Sequence, residues 1–291
     1  MVTANEYNSA SFVLDLETGA TCGAFPDYPE NQVWGAAGGL LKQKYPLACD
    51  GNEDISVNDC YLYEDGEWKK SVILPAAVEW PGSTVLNDTI LWITGGYYNY
   101  EVGYNLSLLV DPFENLVVPG PPLPYEIMTS CMVNIDNDNI AMLGGSGANG
   151  GGPKTSFYTF STNTWEDGPD LLERRNVPAC SLVTLDFGRK IILVSGRNAT
   201  EYLELGVDSE WQKGPATPYY IDVPTMVPVD NQQSVILFGK NYLEEYTGIL
   251  KYDCKNGDPS QCSWVELDYK LPFQVDQPVA LLIPDEIAPE C

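Results

Sequence analysis

IAMLGGSGANGGGPKTSFYTFSTNTW, residues 140–165, decides how the chain is read. Its middle, GGSGANGGGPKTS from Gly144 to Ser156, has the glycines, Lys and Thr of a phosphate-binding loop. Such a loop needs a strand before it, a helix after it and a Lys directly following its last Gly. Here Pro153 separates Gly152 from Lys154. The following SFYTFSTNTW (156–165) alternates and is rich in aromatic and β-branched residues, so it reads as a strand. Without a helix N-terminus there is no dipole or fan of free N–H groups to receive a phosphate. The segment is instead an apolar strand ending in a glycine doublet, a loop, and a strand closing at a Trp.

That pattern recurs. Apolar strands ending in Gly occur at ILWITGG (90–96), IAMLGG (140–145), IILVSG (191–196) and VILFG (235–239), and more loosely at YPLACDG (45–51). Their final glycines, Gly51, Gly96, Gly145, Gly196 and Gly239, are 45, 49, 51 and 43 residues apart. Downstream of each, an alternating segment closes near Trp68, Trp165, Trp211 or Trp264, with Leu116 standing in for Trp in the second unit. A Gly-Pro signal then follows at GPPLP (120–124), GPDLL (168–172) and GPATP (214–218). Periods in the mid-forties with about four short strands each are those of β-propeller blades.

A glycine doublet ending one strand, then an aromatic, then a Trp in the next hairpin resembles the kelch family. The resemblance covers nearly the whole chain and is strongest over 79–219. It implies an all-β propeller with under about a tenth of its residues helical. Five periods leave a piece at each end: SFVLDLETGATC (11–22), read as outer strands, and QPVALLIPDE (277–286), read as an innermost strand. Joined, they would close a sixth blade and remove a free sheet edge. The expectation is a six-bladed kelch-type β-propeller forming a single domain over 1–291. Its blades would be 31–78, 79–126, 127–172, 173–219, 220–272, and 273–291 together with 1–30.

Composition narrows the partners. Fifteen basic against 41 acidic residues give a net charge of −26. Nucleic acid is a poor partner, because phosphate binding depends on Lys and Arg. Cationic ligands or basic protein surfaces remain open, and acidity by itself also serves solubility. Histidine is absent. That removes Ser-His-Asp catalysis and His-based zinc or copper sites. No apolar run approaches the roughly 18–20 residues of a membrane span.

Eight Cys are present without a CxxC pair. Sequons begin at Asn87, Asn105 and Asn198. An even Cys count with three sequons points to a secreted, disulfide-bonded glycoprotein. The start, MVTANEYNSA, has no basic or apolar leader, so a signal peptide is expected to have been removed. Cys254 and Cys262 flank a hairpin turn, and Cys49 and Cys60 border the loop between adjacent strands; both pairs are expected to link. Cys131 and Cys180 occupy similar places in consecutive blades and either bridge them or remain buried thiols. Cys22 and Cys291 would tie the closing blade.

In kelch propellers, the loops after the glycine doublet and those entering each inner strand share one rim. Mapped here, that rim gathers Trp80, Tyr97, Tyr98, Tyr100, Tyr125, Tyr219, Tyr220 and Tyr242 with Glu126 and Glu244. Aromatics with a polar tip suit binding surfaces, although tyrosines also pack between blades. Arg174 and Arg175 can receive an anion or pair with Glu173 and its acidic neighbours. Asp136-Asn137-Asp138-Asn139 lacks the spaced ligands of a calcium loop and reads as a turn.

Three functional readings follow. The first is a secreted, non-enzymatic propeller that binds a protein, glycan or small molecule, cationic or polyhydroxyl, through the Tyr/acid rim. The second is a structural, matrix or small-molecule (pigment) carrier protein. The third is an enzyme: galactose-oxidase-like copper chemistry needs the missing histidines, leaving carboxylate-based glycosidase-like chemistry. No cofactor or metal is expected.

Overall fold

The computed structural model describes residues 1–4, 9–22, 25–30, 33, 35–49, 57–97, 105–147, 152–254 and 257–288. Its strands run β1 (Val2–Thr3), β2 (Val13–Leu14), β3 (Thr21–Cys22), β4 (Ala37–Leu41), β5 (Tyr45–Cys49), β6 (Asp59–Glu64) and β7 (Glu67–Ile73). Then come β8 (Gly82–Leu86), β9 (Ile90–Thr94), β10 (Ser107–Asp111) and β11 (Leu116–Pro119). The next are β12 (Cys131–Asn134), β13 (Asn139–Leu143), β14 (Thr155–Thr159) and β15 (Thr164–Asp167). They are followed by β16 (Ala179–Thr184), β17 (Lys190–Gly196), β18 (Ala199–Glu204) and β19 (Gln212–Lys213). Last are β20 (Val223–Val229), β21 (Ser234–Lys240), β22 (Gly248–Cys254), β23 (Cys262–Lys270) and β24 (Val279–Ala280). Helical structure among the described residues is confined to three-residue 3-10 turns.

The fold is an all-β propeller with five four-stranded blades, β4–β7, β8–β11, β12–β15, β16–β19 and β20–β23, each an antiparallel meander. The expected sixth blade is not formed. Among the described residues, the terminal pieces give only two-residue ladders, β1 with β24 and β2 with β3, plus a bridge from Val2 to Phe12. Two causes are local. Asp15 caps a tight turn by accepting from the amides of Glu17 and Thr18, which ends β2. Pro278 and Pro284 bracket the C-terminal piece and offer no N–H to a ladder.

The chain divides into two compact units. One comprises Met1–Thr129, Gly147–Asn149 and Val275–Cys291, and the other Ser130–Ser146 and Gly150–Gln274. The first holds blades β4–β7 and β8–β11, whose facing layers bury Leu41, Leu47, Leu62, Leu91 and Ile93. In the second, Leu143, Leu182, Ile192 and Val194 fill the space between β12–β15 and β16–β19. Ile191, Leu193, Val235 and Leu237 do so between β16–β19 and β20–β23.

Burial falls off from the second to the fourth strand of each blade. In β9, Leu91, Trp92 and Ile93 are fully buried, whereas outer strand β11 is half-buried or exposed throughout. A strand covered on both faces reads as an unbroken apolar run, which is why the second strands stand out in the sequence. The stretch 156–165, expected to be one strand, is a hairpin: β14 and β15 reverse over 160–163, with Tyr158 opposite Trp165.

The recurring glycines have a steric cause. Gly95 and Gly96 adopt φ of 63° and 107°, and the Gly96 amide donates to Ile127 O at 2.8 Å. A Cβ on Gly95 would stand 2.1 Å from that carbonyl. The same bond repeats in the second unit from Gly145 to Arg175 O (2.9 Å) and from Arg197 to Ile221 O (2.7 Å). Arg197, at φ 58°, therefore occupies the place of the second glycine. The pair that plays the doublet's part after β17 is Gly196-Arg197, one residue beyond the end of IILVSG (191–196).

The recurring tryptophans are clasps. Trp211 Nε1 donates to Thr155 Oγ1 at 3.1 Å and Trp264 Nε1 to Thr200 Oγ1 at 2.9 Å, each reaching back to the third strand of the preceding blade. In the first unit, Trp68 Nε1 donates to Pro26 O. Disulfides add cross-links: Cys49–Cys60 and Cys254–Cys262 join directly opposed residues of neighbouring strands. Cys131–Cys180 ties β12 to β16. Cys22 is not free; Cys291 lies outside the described residues.

Candidate ligand-binding site

Past β9, β13 and β17 the chain hydrogen-bonds to the segment entering the next blade, from Gly96 to Ile127 O, from Gly145 to Arg175 O and from Arg197 to Ile221 O. In the second unit these bonds link four loops in series. Arg175 Nη1 donates from 171–178 to Gly196 O (2.9 Å) and Ala199 O (3.1 Å). Thr217 Oγ1 donates to Arg197 O, and Arg197 bridges Ile221. Asp222 N donates to Lys240 O, and Tyr242 N to Asp222 Oδ2 at 2.9 Å. The result is a continuous rim across 171–178, 196–199, 217–222 and 240–246.

Its surface is aromatic, aliphatic and acidic. Leu172, Tyr219, Tyr220, Tyr242 and Leu243 are exposed, the last at 86%. Glu173, Glu244 and Glu245 are exposed among them. The ring of Tyr219 packs on Tyr246 at 4.9 Å, and its hydroxyl donates to Glu266 Oε2 at 2.5 Å. That hydrogen bond to a carboxylate, with the charge of Glu266, holds the Tyr219 phenol above its ordinary value. Burial first, then the charge of Glu266, raises Tyr246 further. Both rings are therefore neutral at physiological pH and present π-faces beside a fixed carboxylate. Lys240 is buried, its ammonium 4.4 Å from the Tyr242 ring centroid. This placement already puts a cation against that aromatic.

The two arginines part ways. Arg174 is exposed and donates to Asn176 Oδ1 at 3.3 Å. Arg175 is buried, with Nε and Nη2 on Glu201 Oε1 at 3.0 and 2.7 Å. Its ionic partner is Glu201, not the neighbouring Glu173. Glu201 also accepts from the amides of Leu172 and Glu173, so the pair fixes the entry loop on β18.

The other sequence-selected rim residues lie in the first unit. Glu79 and Tyr97 exchange backbone hydrogen bonds, and the rings of Trp80 and Tyr97 are 6.0 Å apart. Thr129 N donates to Trp80 O. Tyr125 is half-buried and Glu126 exposed. Tyr98 and Tyr100 lie outside the described residues. Sequence reasoning missed Leu172, Leu243 and Glu266. Leu243 was visible between two selected residues, but Glu266 is 47 positions from Tyr219 and only folding brings it there.

The sequon asparagines Asn87, Asn105 and Asn198 are all exposed. Two sequon hydroxyls have structural duties, since Ser107 accepts from Trp92 Nε1 and Thr200 from Trp264 Nε1. The segment 136–139 is a turn, as expected: Asp136 Oδ1 accepts from the amides of Asp138 and Asn139. Among the described residues no group of three or more Cys, Asp or Glu is arranged to hold a metal ion. No described helix is long and apolar enough to cross a membrane.

Blades of four antiparallel strands, with an aromatic and acidic loop rim in the second unit, define the class as an all-β propeller. No protein-family model matches the chain, and no curated protein matches it.

Proposed function

We propose that the protein is a secreted, kelch-type propeller that acts by binding rather than catalysis, and that the rim of the second unit takes a cationic partner bearing apolar groups. The observation that carries this reading is the Tyr219–Glu266–Tyr246 cluster flanked by exposed Tyr220, Tyr242 and Leu243. Aromatic rings supply contact area with little side-chain entropy to lose, and a fixed carboxylate selects positive charge. The chain's net charge of −26 acts in the same direction at longer range. Secretion is supported by three described disulfides and three exposed sequon asparagines.

The test is calorimetric titration with a basic, aromatic-containing peptide and its charge-reversed counterpart. The basic peptide should bind and weaken with salt, and the acidic one should not bind. Tyr220→Ala or Tyr242→Ala should cost ~1–3 kcal/mol of binding with little change in melting temperature. A sharp loss of stability with binding intact would make these rings packing residues and end the reading.

A further inference from the structure

At the opposite ends of strands β16, β17, β20 and β21 from this rim lies a cleft of about 530 Å³. That is within the size of small-molecule sites, about 300–1,000 Å³. It is lined by Asp186, Phe187, Asp230, Gln233, Lys251 and Asp253, among others. Phe187 is 100% exposed and sits at φ 61°, ψ 22°. Left-handed backbone is acceptable to Asn, Asp and Gly and costly for a bulky side chain. The corresponding turns of three other blades fill their left-handed positions with polar residues: Lys42 and Gln43, Asn87 and Asp88, and Asp230, Asn231 and Gln232. Only this one of the four carries an aromatic. Phe187 thus bears both a backbone cost and full exposure without filling any core, and it stands on the lip of the cleft.

The polar lining points to the ligand. Lys251 pairs with Asp230 at 2.7 Å, so that carboxylate is neutralised in place. Asp186 and Asp253 offer acceptors, Gln233 offers both donor and acceptor, and Lys251 retains donors. Mixed donors and acceptors around an exposed aromatic face match a molecule with many hydroxyls and an apolar C–H face. We propose that this cleft binds a neutral oligosaccharide, with Phe187 as the platform on which a sugar ring stacks.

Saturation-transfer NMR with cellobiose, lactose and chitobiose tests this on the whole chain. At least one should bind the wild type, and Phe187→Tyr should retain it. Phe187→Asn should weaken binding by roughly threefold or more, as expected for loss of an aromatic contact. Because Phe187 is fully exposed and Asn accepts the left-handed backbone, F187N should fold, with a melting temperature unchanged or raised by about 2 °C. Tyr242→Ala, on the rim, should leave sugar binding unchanged. The proposal is overturned if none of the sugars binds, if F187N binds as well as wild type, or if F187N instead abolishes capture of the basic peptide.

Discussion

The indole N–H of Trp264 donates to Thr200 Oγ1 at 2.9 Å, across 64 residues of chain. Both residues are buried, so removing the hydroxyl strands the indole N–H away from water, whereas removing the indole N–H leaves Thr200 Oγ1 with Ser195 Oγ at 3.3 Å. Thr200→Val should destabilise the protein by ~1–3 kcal/mol, and Thr200→Ser should cost much less. Urea unfolding measures this. Thr200 also completes the Asn198 sequon, so glycan occupancy there should be tested by Asn198→Gln, which leaves the clasp intact. Equal stability of wild type and Thr200→Val would show that the clasp contributes nothing.

Arg175 and Glu201 form a buried ion pair whose side chains are 4% and 2% exposed. Arg175→Met leaves the carboxylate unpaired and should cost about 3–5 kcal/mol. The double variant Arg175→Met/Glu201→Gln should recover part of that loss, because no unpaired charge stays buried, although its one amide oxygen keeps only one of the hydrogen bonds that Leu172 N and Glu173 N make to separate carboxylate oxygens. A double variant less stable than Arg175→Met alone would contradict this account.

Gly95 and Gly66 separate two reasons for keeping glycine. Both have positive φ, 63° and 87°. A Cβ on Gly95 meets Ile127 O, whereas one on Gly66 meets nothing within 4 Å. Gly66→Ala should therefore cost about 1–2 kcal/mol for the left-handed backbone alone. Gly95→Ala should cost clearly more, since the backbone of the next blade's entry segment must move. Comparing the two in thermal unfolding checks the steric explanation of the repeat.

Glu204 supplies a pH signature. Hydrogen bonds from Arg189, at 2.6 and 2.9 Å, hold its carboxyl below the ordinary value of 4.5, outweighing partial burial. A depressed folded-state pKa means that the unfolded chain binds the proton more tightly. The stabilisation is thus complete above about pH 4.5 and is lost as pH falls through the depressed value. Protonating other carboxylates of a chain with net charge −26 relieves self-repulsion and acts in the opposite sense. The useful quantity is therefore the stability of wild type minus that of Glu204→Gln, which should shrink below pH 4.5. A difference that stays flat down to pH 2 would exclude the effect.

What the sequence determined by itself was whatever depends on short spacing and burial on both faces. Second strands such as 90–94 and 191–196 are legible because a strand covered on both sides must be apolar throughout. The glycine after each is legible because the next blade's carbonyl leaves no space for a side chain. Opposed cysteines in one hairpin, such as Cys254 and Cys262, could be paired from their separation. The end pieces misled because apolar alternation marks a strand but not its ladder: Pro278, Pro284 and the Asp15 turn limit them to two-residue pairings, leaving five blades. The rim was legible as loops rich in Tyr and acid, but not as a geometry. Arg175 turns inward to Glu201, while Glu266 arrives beside Tyr219 from an outer strand. Only the tertiary structure decides such meetings, because each depends on how one blade's side chains register against distant strands, and no local pattern encodes that distance.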